Sequence, residues 1–168
     1  MKKLKKTILK GMALIVSFLC VAAIWFVLEF WIPHRTIYDS GQPGLLEDQR
    51  ARKRVRDACH KILSHWIGNY YAAFWTLDEV GNKDSIPYLI RALKTLTLNP
   101  PPASLVPYKH NEWTTSLYIE CCRGSLKKLT GMDWGTDHEQ WENWWKETGR
   151  YLPFDEEKGQ LILQEGTE

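Results

Sequence analysis

The chain lacks the constellations that carry most enzyme chemistry. It has no C-x-x-C pair to accompany a paired-histidine motif, so no zinc-site spacing is present. No glycine-rich phosphate loop occurs. Cysteine is scarce, at four residues. Cys20 lies in an apolar run, which leaves Cys59, Cys121 and Cys122, and an odd number does not make a disulfide framework. Cys121 and Cys122 are adjacent, about 100° apart on a helix, so they do not share one ion. All three fall inside helices and largely on apolar stripes, where a buried thiol is inert. Ser64, Ser116 and Ser125 have no strand-to-helix elbow around them. The chain also lacks a dominant charge: its formal net charge of +2 provides no global field for nucleic acid. The expectation is a chain that is not an enzyme and uses no cofactor or metal.

What is present begins with an apolar run. Gly11 to Leu28 carries no charge. At ~1.5 Å per residue it covers about 27 Å, close to the hydrocarbon thickness of a bilayer. Trp25 and Trp31 stand at its outer end, where indole favours the headgroup layer. The run is longer than a signal peptide needs, and Ile24-Trp25-Phe26-Val27 follows Ala22-Ala23 where a cleavage site would require small residues. Residues 1–10 therefore read as a basic cytoplasmic N-terminus, 11–31 as a transmembrane helix in contact with the lipid bilayer, and 32–44 as a linker broken by Pro33, Gly41, Pro43 and Gly44. Lys2, Lys3, Lys5, Lys6 and Lys10 precede the run and only Arg35 follows before Arg50, so positive-inside bias directs the rest of the chain away from the cytoplasm.

The remainder reads as all-α. Leu45 to Trp66 is a predicted helix with Arg50, Arg52, Lys53, Arg54 and Arg56 crowding its first half, either a solvated face or a contact for anionic headgroups. Tyr70 to Thr97 reads as two helices around a tight turn. Ala73, Phe74, Leu77 and Val80 form one stripe, and Ile86, Leu89, Ile90, Leu93 and Leu96 the other. Gly81 is expected in the left-handed conformation, Asp84 or Ser85 as the cap of the second helix, and the two stripes are expected to pack face to face. A proline-rich segment, 99–113, follows with Pro100-Pro101-Pro102, Leu105, Val106, Tyr108 and Trp113. Its length suits a binding loop as well as a plain connection. Thr114 to Thr130 is a further helix. Asp137 and Gln140 form a capping-box pattern ahead of Trp141, Trp144 and Trp145. Residues 153–168 read as an acidic, mobile tail, with Leu161-Ile162-Leu163 as a possible docking point.

A resemblance follows from these residues. Ala72, Leu77, Val80-Gly81, Asp84, Ile86-Pro87, Leu89-Ile90 and Leu93 resemble the consensus of a HEAT-like repeat. The run Leu126 to Asp137, with Leu129-Thr130-Gly131 inside it and Trp141-x-x-Trp144-Trp145 after it, resembles the closing segment of bacterial HEAT-repeat-containing proteins. The resemblance implies a short α-solenoid over 45–152, a bacterial inner (plasma) membrane location, and a scaffold that presents helix faces to a protein partner. The expected partner surface is Tyr88 and Arg91 with Pro101, Leu105, Val106, Tyr108 and Trp113. The alternative is an envelope-glycan module, binding or hydrolysing, with exposed Trp134, Trp141, Trp144 or Trp145 as sugar platforms and Asp133 as the acid/base group.

Overall fold

The computed structural model describes residues 2–41, 45–65, 70–99 and 112–163. It is mostly helical with one small sheet. The helix α1 covers Lys2–Phe26, and a π-helical segment, Val27–Trp31, joins it without a break to α2, Ile32–Asp39. Then come α3 (Gln49–His65), α4 (Tyr70–Val80), α5 (Ile86–Leu98), α6 (Glu112–Thr130) and α7 (His138–Glu147). A two-stranded antiparallel sheet closes the order, β1 (Phe154–Asp155) with β2 (Gln160–Leu161), in the register Phe154 to Leu161 and Asp155 to Gln160.

Two sequence expectations change at the start. Pro33 does not break the chain into a linker. It is the second residue of α2, in helix continuous with the π segment, and its side chain is buried. The π segment just ahead widens the helix, with the Ile32 N–H donating to the Val27 carbonyl, and such a widening relieves the clash a proline ring makes one turn back. The next helix begins at Gln49 rather than Leu45, with Asp48 accepting from the Arg50 and Ala51 amides (3.1 and 3.2 Å).

The core forms where the stripes were expected, but the helices pair differently. Ala73, Phe74 and Leu77 from α4, and Ile86, Leu89 and Leu93 from α5, are fully buried. The stripes do not pack chiefly on each other. The closest packing of α4 is with α3 and α6, and that of α5 is with α6 and α7. Thus α3 pairs with α4 and α5 with α6, while α4 touches α6 and α3 touches α5 across the two pairs. The basic helix α3 is therefore half of the first pair rather than a preface to it.

The turn at 81–85 links the pairs. Asn82, not Asp84 or Ser85, caps it: its side chain accepts from the Asp84 amide (3.1 Å), and Ser85 Oγ accepts from the Asn82 amide (3.2 Å). Gly81 is not left-handed; a Cβ there would collide with the Leu77 carbonyl and crowd Leu129. At the other end, α6 starts at Glu112 and buries Tyr118, Cys122, Leu126 and Leu129. Asp137 caps α7 by accepting from the Gln140 amide (3.0 Å). The Asp137 amide itself donates to the Trp134 carbonyl (3.2 Å).

The acidic tail is also corrected. As far as Leu163 it folds back: Leu152 and Leu161 are buried, and β2 packs on α6. Lys83 Nζ donates to the Leu152 carbonyl and ties the hairpin's root to the turn at 81–85.

Candidate functional site

The junction between α1 and the folded domain has the clearest chemistry. One helix among the described residues is long and apolar enough to cross a membrane, and it is the N-terminal one. Its side chains are uncovered: Leu14 is 73% exposed and Phe18 74%. Trp25 and Trp31 are exposed at its outer end. The side chains of Lys5, Lys6 and Lys10 lie outside the described residues. Just past the apolar run, Glu29 accepts from Lys61 Nζ (3.2 Å) and lies 3.3 Å from His65 Nε2. Both partners come from the last turns of α3. Sequence reading missed Lys61 and His65; the signal was a lone carboxylate at the edge of an apolar run, which calls for a cation.

Next to this junction, α2, α3 and α4 enclose a groove of about 390 Å³ lined by His34, Ile37, Tyr38, Ile62, Tyr71 and Trp75 among others. Tyr38 and Trp75 are largely exposed, and Tyr71 and Trp75 lie ring to ring at 5.7 Å. None of these aromatics stood out in the sequence: Tyr71 and Trp75 occupy the outer side of a helix whose inner stripe was clear, and Tyr38 lies in a stretch read as linker.

The basic half of α3 does other work than expected. Arg52 donates to the Glu79 carbonyl (2.8 Å) and Arg56 to the Val80 carbonyl (3.0 Å). These are last-turn carbonyls of α4, which have no intrahelical donor and carry the negative end of the helix dipole. The run also sits at the opposite end of α3 from His65. Arg52 is ~20 Å along the helix from the clamped end. Arg52 and Arg56 are thus engaged at the C-terminal end of α4. A groove of about 850 Å³ beside it mixes Lys53 and Lys128 with Asp78, Glu79, Glu156 and Glu157.

The expected partner surface is described only in part. Pro101, Leu105, Val106 and Tyr108 lie outside the described residues, and so does the side chain of Trp113, whose backbone belongs to α6. Arg91 is exposed on α5. Tyr88 is half-buried and stacks on His60, with ring centroids 4.1 Å apart and planes within 8°. His60 Nε2 is 2.9 Å from Ser85 Oγ. This pair is structural: Ser85 is fully buried and its hydroxyl also holds the Asn82 amide. Burial pushes the His60 imidazole down to about 4, so it is neutral at pH 7.

The tryptophan cluster is built inward. Trp141 is fully buried, with its Nε1–H donating to the Gly135 carbonyl (3.2 Å). Trp134 stands edge-to-face against Trp141 (4.7 Å) and Trp144 (4.9 Å). Trp144 and Trp145 crowd Gly149, where a Cβ would stand 2.7 Å from the Trp144 ring. Trp134 and Trp144 keep an edge in an open groove of about 480 Å³ with Asp137, Glu139, Asn143 and Glu147. Asp133 is unsuited to acid catalysis. Arg123 (2.9 Å) and Lys127 (3.1 Å) bind its two carboxylate oxygens and hold it far below the usual carboxylate range. A carboxylate so stabilised neither keeps a proton to give nor takes one readily.

The thiols follow the sequence reading. Cys59 and Cys122 are buried and their ionisation is pushed well up by burial, while Cys121 is half-buried and raised as well. Among the described residues no cluster of His, Cys, Asp and Glu has metal-binding geometry. Comparison with protein families, curated proteins and solved structures returns no match.

Proposed function

We propose that this chain is a single-pass, membrane-anchored helical scaffold of HEAT-like build that binds a protein partner. The observation that carries it is the pairing of an uncovered apolar helix with a closed helical core, joined by unbroken helix and by the Glu29 clamp. The lateral contacts α3 to α5 and α4 to α6, between successive pairs, support a two-pair solenoid with α7 as its cap. The lysines ahead of the apolar run support a cytoplasmic N-terminus with the domain on the far side, and the closing-segment resemblance supports a bacterial inner membrane. The partner surface is Arg91 with the 99–113 loop, because Tyr88 is committed to His60. A photocrosslinker placed at Arg91 or Leu105 in intact membranes tests this. Discrete adducts at both positions, absent from a control at Lys158, support the surface; adducts at neither remove it.

A second reading is an envelope-glycan binder, favoured by the open edges of Trp134 and Trp144 beside Asp137 and Asn143. The hold of Arg123 and Lys127 on Asp133 favours binding over hydrolysis in this reading. Trp144→Ala separates the readings. Intact folding with lost polysaccharide binding supports the glycan site, and loss of folding assigns Trp144 to the core.

A further inference from the structure

The clamp at Glu29 fixes which end of the domain lies next to the span. Glu29 is one residue beyond the apolar run, and its partners Lys61 and His65 are the last turns of α3. That end of α3 is therefore held at the level where hydrocarbon gives way to headgroups. The groove shared by His34, Ile62 and Tyr71 places Tyr71 beside the same level. His34 follows Glu29 by five residues, ~8 Å along a helix. A headgroup layer extends ~5–8 Å beyond the hydrocarbon on each side. Tyr71 is 37% exposed, its neighbour Trp75 is 59% exposed, and Trp31 is 58% exposed below them. Tyrosine and tryptophan are the residues that prefer this layer, with an apolar ring and a polar edge. Lys61, 43% exposed at its side chain, adds a cation able to meet lipid phosphate.

We propose that the domain is seated on the bilayer rather than suspended above it. The contact face is the C-terminal turn of α3 with the N-terminal turns of α4, Tyr71 lying in the headgroup layer and Trp75 at its upper margin. The occupant of the aromatic face is thus the phospholipid headgroup layer. The seating rests on the anchor reading above, and it points the Arg52–Arg56 end of α3 away from the membrane.

The test uses the full chain in phosphatidylcholine vesicles, in a Cys20→Ser, Cys121→Ser background. A single environment-sensitive thiol probe is placed at Tyr71→Cys, Trp75→Cys or Lys53→Cys. Headgroup-spin-labelled lipid is expected to quench the probe at 71 about threefold more than the probe at 53, with 75 between them. Aqueous iodide should give the reverse order. Glu29→Ala should shrink the difference between 71 and 53. Equal quenching at 71 and 53 in a chain that floats with its vesicles overturns the seating and leaves the anchor intact. A chain that does not float with the vesicles overturns both. The probe at 75 keeps the test decisive if Tyr71→Cys unfolds.

Discussion

Two helical regions use the same apolar residues to opposite ends. In α1, Leu14, Ile15, Phe18, Leu19 and Ile24 are all more than half exposed. In α4 and α5, Phe74, Leu77, Ile86, Leu89 and Leu93 are fully buried. The domain thus satisfies its apolar surface from within, whereas α1 needs an apolar medium from outside. The difference follows from periodicity. The stripes of α4 and α5 each occupy one side of a helix, which another helix can cover. The apolar residues of α1 surround the helix, and only a bilayer or a larger protein interior covers all sides.

The contrast sets the scale of substitutions. Trp141→Ala should be the most damaging, at about 3–5 kcal/mol, because it empties the fully buried centre of the tryptophan cluster. Denaturant unfolding of the detergent-solubilised chain measures this. Leu93→Ala should cost about 2–5 kcal/mol by the same measurement. Leu19→Ala in α1 removes as much apolar surface but should leave the domain's unfolding within about 0.5 kcal/mol of the parent. A Leu19→Ala effect matching Leu93→Ala would erase the contrast.

A pH profile sharpens it further. His60 has its folded pKa depressed to about 4 by burial, against an ordinary value of 6.5. Between those values the unfolded chain binds more protons than the folded one, so stability should rise with pH across that window and fall on acidification. His60→Gln should flatten that slope while preserving a partner for Ser85 Oγ. Asn82→Ala should have a smaller effect, about 1 kcal/mol, from loss of the cap in the turn between helix pairs.

The inner stripes were legible because helical period and burial are the same signal in Phe74, Leu77, Leu89 and Leu93. The long apolar helix near the N-terminus was legible because length and composition alone mark it. Pairing was not. A short turn at 81–85 says that two helices are neighbours in sequence, but not that α4 turns back on α3 and α5 on α6. Pro33 read as a breaker because proline stops a helix interior and starts a helix equally well, and the π segment before it has no sequence mark. Leu161, with Ile162 and Leu163, read only as a possible docking point in an acidic tail; its burial and the packing of β2 on α6 make it core. The Glu29 partners were hidden because Lys61 and His65 are ordinary surface residues until α3 folds back beside the span. The burial of Cys59 and Cys122 was legible from their place on apolar stripes, while the charge state of Asp133 required Arg123, ten residues away, to be placed beside it.

The most direct measurement is alkaline carbonate extraction of membranes carrying the full chain, followed by flotation. A chain spanning the bilayer through α1 stays with the floated membranes, and its Leu14→Asp, Phe18→Asp variant is released with the domain still folded. Recovery of the parent chain in the soluble fraction, folded and monodisperse, would contradict the account.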